Sequence, residues 1–238
     1  MYSIYLKELK SFFSSAMGYI VIGLFLLATG LMLWVFPGNF NIVDRGYADL
    51  DGLFQLAPWL YLFLCPAVTM RMIAEEKQAG TLELLVTRPL TGWDIVLGKL
   101  LAAWSVVAIA LIPTLLWFWS VCLMAEPAYN VDAAAFWGSW IGLIFLALVY
   151  VSIGLFGSSL SKNQIVVFFV SALICFALYY GFELIGSLLS GKAAFALRQF
   201  GIHEHYKSIA RGVIDSRDIV YFLLVSAVFA FLTKIRVK

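Results

Sequence analysis

Two short stretches of the sequence carry residue types that could bind a phosphate or a metal ion. The first, Gly92–Lys99, reads GWDIVLGK and has two glycines followed by a lysine, as a phosphate-binding loop does. It departs from that motif because the glycines are one residue too far apart, Leu100 stands where a Ser or Thr would bind Mg²⁺, and no strand precedes it. Phosphate binding is therefore not expected. Gly98-Lys99 is instead predicted to begin a membrane span, with the lysine at the level of the lipid headgroups.

The second stretch is His203-Glu204-His205, whose residue types occur in metal sites. Two histidines at i and i+2 face different sides of a helix, unlike the H-E-x-x-H spacing that places two ligands together. We predict a polar surface patch here and no metal site. The sequence also contains no G-x-S-x-G motif and no evident pair of catalytic carboxylates. A membrane-embedded enzyme is consequently the weakest of the functional classes that the sequence allows.

The composition is that of an integral membrane protein. Of the 238 residues, 63% are hydrophobic and 13% are charged, whereas a soluble domain has roughly 25% charged residues. The net charge of +2 is small, and the basic residues flank apolar runs rather than forming one patch, so nucleic-acid binding is not expected. The cysteines lie inside apolar runs and are predicted to be small buried hydrophobes: Cys65, Cys122 and Cys175.

Apolar runs long enough to cross a bilayer predict an all-α membrane protein with six transmembrane helices in a single domain, residues 1–238. The predicted spans are 19–36, 56–72, 95–124, 134–160, 165–189 and 218–232. The first run is longer than the apolar region of a signal peptide and is not followed by a cleavage site of the A-x-A type, so it is predicted to be a retained span.

Two amphipathic segments flank these spans. Residues 1–16 are predicted to form an interfacial helix, with an apolar stripe made of Tyr2, Leu6, Leu9 and Phe13, widened by Tyr5 and Phe12. The alternative is a charged flank of the first span. Residues 190–217 are predicted to form two short helices on the outer face, because apolar residues recur at helical spacing on either side of Gly201. A disordered loop is the alternative there.

Both termini are predicted to lie in the cytoplasm. Six spans return the chain to its starting side, and cytoplasmic loops carry an excess of Lys and Arg. The basic residues on that side would be Lys7, Lys10, Arg71, Lys77, Arg88, Lys99, Lys162, Lys234, Arg236 and Lys238. Before the last outer loop, the opposite side would carry only Arg45.

The most charged interval near the membrane is residues 71–101, between spans 2 and 3. Within it, residues 81–86 are predicted to form a short amphipathic helix, with Leu82, Leu85 and Val86 on one face. Gly80 would allow a sharp turn before that helix, and Pro89 would end it. A short helix that presents an apolar face beside the membrane is suited to docking against a soluble partner.

The spans place no Asp, Glu, Lys, Arg or His at their centres, and Glu183 lies towards the outer end of span 5. Proton- and ion-coupled transporters usually have ionisable groups at mid-membrane, so any work done by this protein would need another energy source. The glycines Gly138, Gly142, Gly154 and Gly157 are predicted to allow close packing of helices within the chain rather than to form a dimer seam.

These features together resemble permease subunits of the second class of ATP-binding-cassette (ABC) exporters. The resemblance lies in EEKQAGTLELLVTRPL between spans 2 and 3, followed by VLGKLLA at the start of span 3. The segment RGVIDSRD before the last span is similar to a subgroup associated with bacterial gliding motility. The resemblance covers essentially the whole chain.

The resemblance implies that residues 74–94 form a cytoplasmic coupling region containing a coupling helix that docks on a separate ATPase subunit. The implied coupling residues are Glu75, Glu76, Gly80, Thr81, Leu82, Glu83, Leu85 and Pro89. ATP and Mg²⁺ would be bound by that ATPase, with no cofactor in this chain. Two permeases, identical or different, would pair in the inner membrane of a bacterium. A structural membrane anchor for an ATPase that moves or assembles other machinery is the alternative with the same sequence features.

Overall fold

The computed structural model describes residues 1–81, 91–127, 129–189, 191, 195, 197–212 and 215–237. Its regular elements are all helices, and the described residues contain no strand, as predicted. The helices are α1 (Tyr2–Ser14), α2 (Ala16–Trp34), α3 (Ile42–Arg45), α4 (Asp51–Thr69), α5 (Ala74–Gln78), α6 (Gly92–Leu111), α7 (Thr114–Met124), α8 (Ala133–Leu160), α9 (Gln164–Phe176), α10 (Phe182–Leu188), α11 (Ile202–Ile209) and α12 (Ser216–Val237). A π-helical turn, Ala177–Gly181, joins α9 to α10.

Within the described residues, six helical segments are long and apolar enough to cross a membrane, which confirms the predicted number. They are Ala16–Trp34, Asp51–Gln78, Gly92–Met124, Ala133–Leu160, Gln164–Leu188 and Ser216–Val237, here called spans 1 to 6. Span 3 divides into α6 and α7 around Pro113, because proline lacks the N–H that would continue the helical hydrogen bonds.

Span 4 occupies the centre of the bundle. Its most apolar window is 72% buried, against 28% for span 1 and 22% for span 5. Span 4 therefore supplies much of the core, while spans 1 and 5 present large apolar surfaces outwards. The cysteines are free and buried, as predicted.

Glycines let neighbouring helices approach span 4 closely. A Cβ at Gly154 would collide with the Thr69 hydroxyl of span 2, and one at Gly157 would collide with the Ser171 hydroxyl of span 5. At Gly142, a Cβ would lie 2.6 Å from Ile209 of α11. These contacts confirm that the glycines serve packing within the chain.

Substitution of Gly154 by alanine is expected to destabilise the bundle by about 1–3 kcal/mol, because the added methyl group overpacks the contact with span 2. Thr69 is fully buried and donates its hydroxyl proton to Cys65 O, so it has little room to move. The measurement is the melting temperature of purified protein in one detergent. Gly23→Ala is the matched control, since nothing lies within 4 Å of the added Cβ there. Equal melting temperatures for the two variants would contradict the packing argument.

Met1 and the end of α12 lie at one end of the bundle, which we call the terminal face. The Met1 amino group lies 3.4 Å from the Asp94 carboxylate at the start of span 3. Near the other terminus, the Lys234 ammonium lies 4.5 Å from the centre of the Trp93 ring. The opposite end, which carries α3 and α11, is here called the loop face. Of the predicted pair of short helices in residues 190–217, α11 is one, and much of the stretch assigned to the other lies outside the described residues.

Candidate coupling site on the terminal face

The segment between spans 2 and 3 is described on both sides of residues 82–90. Of the predicted coupling residues, Glu75, Glu76, Gly80 and Thr81 belong to the described part. Four others, Leu82, Glu83, Leu85 and Pro89, lie outside the described residues, as does the predicted helix 81–86 apart from Thr81. The geometry below therefore concerns the two ends of the coupling region.

A serine of span 4 holds the entrance to this region. After α4 ends at Thr69, the chain turns and then forms α5. The Ser158 hydroxyl accepts hydrogen bonds from the backbone N–H groups of Ile73 and Ala74, each at 3.1 Å, and donates to Met70 O at 3.2 Å. Ser158 is fully buried. The backbone of the turn is thus fixed to the central helix, where unpaired buried groups would be costly.

A second contact to span 4 and a glycine define the end of α5. The Lys77 ammonium donates a hydrogen bond to Ser159 O. Gly80 has φ +69°, a left-handed conformation at which helices commonly end, and this confirms the predicted sharp turn. The Thr81 hydroxyl then donates to Glu76 O at 3.4 Å. The chain consequently leaves α5 in a direction set by Gly80.

The two adjacent glutamates of α5 have different surroundings. Glu75 is exposed and lies 3.7 Å from the guanidinium of Arg71, four residues earlier in the chain. Glu76, in contrast, is buried and points into the bundle. Its role in coupling stays a prediction, and any such role would be exerted through contacts inside the chain.

Glu76 forms an ion pair with Lys99. A fully buried lysine is the most unusual feature of this face. The side chain of Lys99 is only 1% exposed, and its ammonium lies 2.8 Å from Glu8 Oε1 and 2.9 Å from Glu76 Oε1. It also donates to Met72 O at 2.7 Å. The ammonium group of Lys99 is thus surrounded by two carboxylates and a carbonyl instead of water. Its depth relative to the lipid headgroups stays a prediction.

The beginning of span 3 also rules out a phosphate-binding loop at Gly92–Lys99. These residues belong to helix α6, which starts with a capping box: the Thr91 hydroxyl accepts from the Asp94 N–H, and the Asp94 carboxylate accepts from the Thr91 N–H. The ammonium group of Lys99 is already paired with the carboxylates of Glu8 and Glu76. Residues 92–99 are therefore the first turns of a capped helix, and their lysine is held by two carboxylates.

Lys7 completes the ion cluster from the N-terminal helix. Its ammonium lies 3.2 Å from Glu76 Oε1 and 3.6 Å from Glu8 Oε1. Partial burial lowers the pKa of Lys7, but the two carboxylates outweigh this effect, so the pKa is raised overall. The cluster of Lys7, Glu8, Glu76 and Lys99 contains two cations and two carboxylates, so it is electrically balanced.

This cluster also changes the register expected for α1. The sequence places Glu8 off the apolar stripe, yet Glu8 is 11% exposed and faces the bundle together with the buried Ile4. Tyr2, which was assigned to the stripe, is 73% exposed. The inner face of α1 is thus set partly by the Glu8–Lys99 ion pair and by the contact of Ile4 with Gly98.

The ion cluster joins three parts of the chain: α1, α5 and the first turns of span 3. Sequence reasoning missed it because the paired residues are 91 and 23 positions apart, as counted from Glu8 to Lys99 and from Glu76 to Lys99. The available signal was the position of each charge at the end of an apolar run. Together with Ser158, the cluster connects the coupling region to spans 2, 3 and 4.

The histidines on the loop face differ from the predicted surface patch. His205 Nδ1 lies 2.7 Å from the Asp218 carboxylate of span 6, and His203 Nε2 lies 3.2 Å from the Glu183 carboxylate of α10. Both imidazoles are largely buried, at 22% and 24% exposure. They fasten α11 to two spans, because each carboxylate lies on a different one. In the described part of the chain, no group of three or more His, Cys, Asp or Glu could hold a metal ion.

Comparison with known protein families finds one that matches this chain. Residues 56–214 match the family described as ABC-2 family transporter protein. The match runs from span 2 to the end of the loop-face segment and includes the whole interval between spans 2 and 3. No curated protein matches the chain.

Proposed function

Since the chain belongs to the ABC-2 transporter family, and is thus a multi-pass membrane subunit of an ABC transporter, we propose that the segment between its spans 2 and 3 transmits the motion of an ATPase. Family membership implies that the ATPase is a separate partner subunit. The proposed coupling residues are Glu75, Glu76, Gly80, Thr81, Leu82, Glu83, Leu85 and Pro89. ATP and Mg²⁺ would be bound by the ATPase.

The observation that carries this proposal is the way in which the coupling region is attached to the bundle. Ser158 fixes its first turn to span 4, and the Lys7–Glu8–Glu76–Lys99 cluster fixes α5 to span 3 and α1. A force applied to residues 81–90 would therefore act on several spans together. This is the property required of an element that converts closure of an ATPase dimer into tilting of helices.

The proposed orientation places the terminal face in the cytoplasm, where the ATPase is. The excess of Lys and Arg at the span ends on this face supports the orientation. The exposed carboxylate of Glu75 and the acidic Glu83 would then be available to basic groups of the ATPase. We propose the bacterial inner membrane as the location, and export as the direction of transport.

A narrower assignment rests on sequence resemblance alone. The segments EEKQAGTLELLVTRPL and RGVIDSRD are similar to those of GldF, a permease associated with bacterial gliding motility. We infer a complex of the same kind, in which two permeases, identical or different, pair above an ATPase dimer.

The alternative, a structural anchor for an ATPase that drives other machinery, would use the same coupling contacts. It differs in one measurable respect, which is cargo movement. Accumulation of cargo in vesicles that contain the permease, its partner and the ATPase, dependent on added ATP, would favour the exporter. ATP hydrolysis without any cargo movement would favour the anchor.

Purification of the tagged chain in mild detergent, followed by mass spectrometry, tests the proposed function. We expect an ABC ATPase in a stoichiometric amount. A second membrane protein in the same preparation would identify a different permease partner, and its absence would indicate pairing of identical chains. Preparations that contain no ATPase in several detergents would contradict the proposal.

A further inference from the structure

A polar cavity and an apolar groove meet on the terminal face, at the junction of α1, span 1 and span 2. The cavity has a volume of about 270 Å³ and is lined by Ser11, Ser14 and Ser15 of the α1–α2 junction and by Arg71 and Glu75 near the end of span 2. The groove has a volume of about 540 Å³ and runs between spans 1, 2 and 5. Met17 and Ala67 line both, so the two spaces adjoin each other.

The polar cavity contains groups of both charges. The Arg71 guanidinium is 42% exposed and donates to Ser15 Oγ at 3.4 Å. The Glu75 carboxylate is 56% exposed and lies 3.7 Å from Arg71 Nε. Glu8 also lines the cavity, but it is already paired with Lys99. An occupant would therefore meet one exposed cation and one exposed carboxylate, which are paired with each other in this structure.

The groove has the composition and length of an acyl-chain site. Its lining is almost wholly apolar, with the exposed side chains of Ile20, Leu24, Phe63 and Ile165 among its walls. Along span 1 it extends from Met17 to Ala28, which is about 16 Å at the helical rise of ~1.5 Å per residue. One leaflet of a hydrocarbon core about 30 Å thick has a depth of about 15 Å. The groove is therefore about as long as one leaflet is deep.

We propose that the cavity and the adjoining groove together bind one glycerophospholipid of the leaflet at the terminal face, with a headgroup that carries both a phosphate and a primary ammonium. The phosphate would bind Arg71 and the neighbouring serines, because guanidinium groups form strong charge-assisted hydrogen bonds with phosphate. The ammonium would bind Glu75. One acyl chain would lie along span 1 in the groove. An anionic headgroup without an amine would leave Glu75 facing a negative charge.

Such a lipid would touch α1, span 1 and the turn that leads into α5. It would therefore bind at the edge of the coupling region, through Glu75, without belonging to the Lys99 ion cluster. This inference does not rest on the proposed coupling function, because it follows from the cavity, the groove and their charges alone.

Native mass spectrometry of the delipidated full-length chain, titrated with phosphatidylethanolamine, phosphatidylcholine or phosphatidylglycerol, tests the proposal. We expect one tightly bound phosphatidylethanolamine per chain. Arg71→Gln should weaken that binding by about tenfold or more, the effect of losing a charge-assisted hydrogen bond. Glu75→Gln should remove the preference for phosphatidylethanolamine over phosphatidylglycerol. Arg217→Gln, which removes an exposed arginine near the loop face, is the matched control and should change nothing.

A second variant tests the groove without changing the charges. Ala67→Phe places a ring where the cavity meets the groove, and it should reduce binding of all three lipids. Equal affinity for the three lipids would overturn the proposal. Unchanged affinity for phosphatidylethanolamine in Arg71→Gln would overturn it too. A disulfide between two copies of Leu24→Cys, formed efficiently in native membranes, would overturn it as well, because a second chain would then occupy the groove.

Discussion

Substitution of Lys99 by methionine is expected to destabilise the protein by about 3–5 kcal/mol, the cost of removing one partner from a buried ion pair. The carboxylates of Glu8 and Glu76 would remain at 11% exposure without their main cation. We also expect α1 to separate more readily from span 3, since Glu8–Lys99 is the buried charged contact between them. The measurements are the melting temperature in detergent and the rate of proteolysis within residues 1–16.

Two further variants distinguish the loss of the buried ion pairs from a general loss of packing as the cause of the destabilisation. Lys7→Met removes an ammonium group that is 59% exposed, and it should cost no more than about 1 kcal/mol, as exposed ion pairs do. Lys99→Met combined with Glu8→Gln and Glu76→Gln removes the uncompensated charges and should regain much of the lost stability. A Lys99→Met protein as stable as Lys7→Met would show that the buried cluster does not hold these helices together.

Replacement of Leu82 and Leu85 by aspartate is expected to reduce ATPase association by about a hundredfold or more. Two central apolar contacts at an interface can each contribute about 2 kcal/mol, and each factor of ten in affinity corresponds to about 1.4 kcal/mol. Glu83→Arg should also weaken association, through charge reversal. The measurement is the amount of ATPase that copurifies with the tagged chain, with membrane insertion and melting temperature recorded for each variant.

The matched control places two acidic residues at exposed apolar positions on the opposite face. Val43 and Tyr47 are 60% and 72% exposed on the loop face. Val43→Asp with Tyr47→Asp should therefore leave ATPase association unchanged. Normal association in the Leu82/Leu85 variant, or equal loss in the control, would contradict the coupling assignment.

The number and order of the spans could be predicted because they depend on length and apolarity along the chain. A helix must bury its backbone groups to cross a bilayer, so a long uncharged run has few alternatives. Local chemistry also set some boundaries, as Pro113 and Gly80 illustrate. The glycines of span 4 could be assigned to packing because small residues let helices approach closely in membranes.

The ion cluster could not be predicted, because it depends on which helices become neighbours. A lysine at the start of an apolar run is ordinarily expected to reach the headgroups. Lys99 is paired within the chain, because α1 folds back and brings Glu8 to it from 91 positions away. The inward face of α1 differs from the predicted apolar stripe for the same reason. Glu8 lies off that stripe in the sequence, and only its pairing with Lys99 explains why it faces the bundle.

The contacts of His203 and His205 on the loop face also depend on which helices become neighbours, so the sequence could not predict them. The spacing of His203 and His205 correctly argued against two ligands on one side of a helix. It did not reveal that Glu183 and Asp218 approach α11 from two different spans. Residues that look like a surface patch in the sequence are therefore part of the contact between α11 and the bundle.

Site-specific photocrosslinking in native membranes tests the central claim most directly. A photoreactive benzoylphenylalanine at position 85 would probe the proposed coupling region, and one at position 43 would probe the loop face. We predict an adduct between the chain and an ABC ATPase from position 85 and none from position 43. Absence of an ATPase adduct from position 85 in a correctly inserted, well-expressed protein would contradict the assignment of this segment as the coupling element.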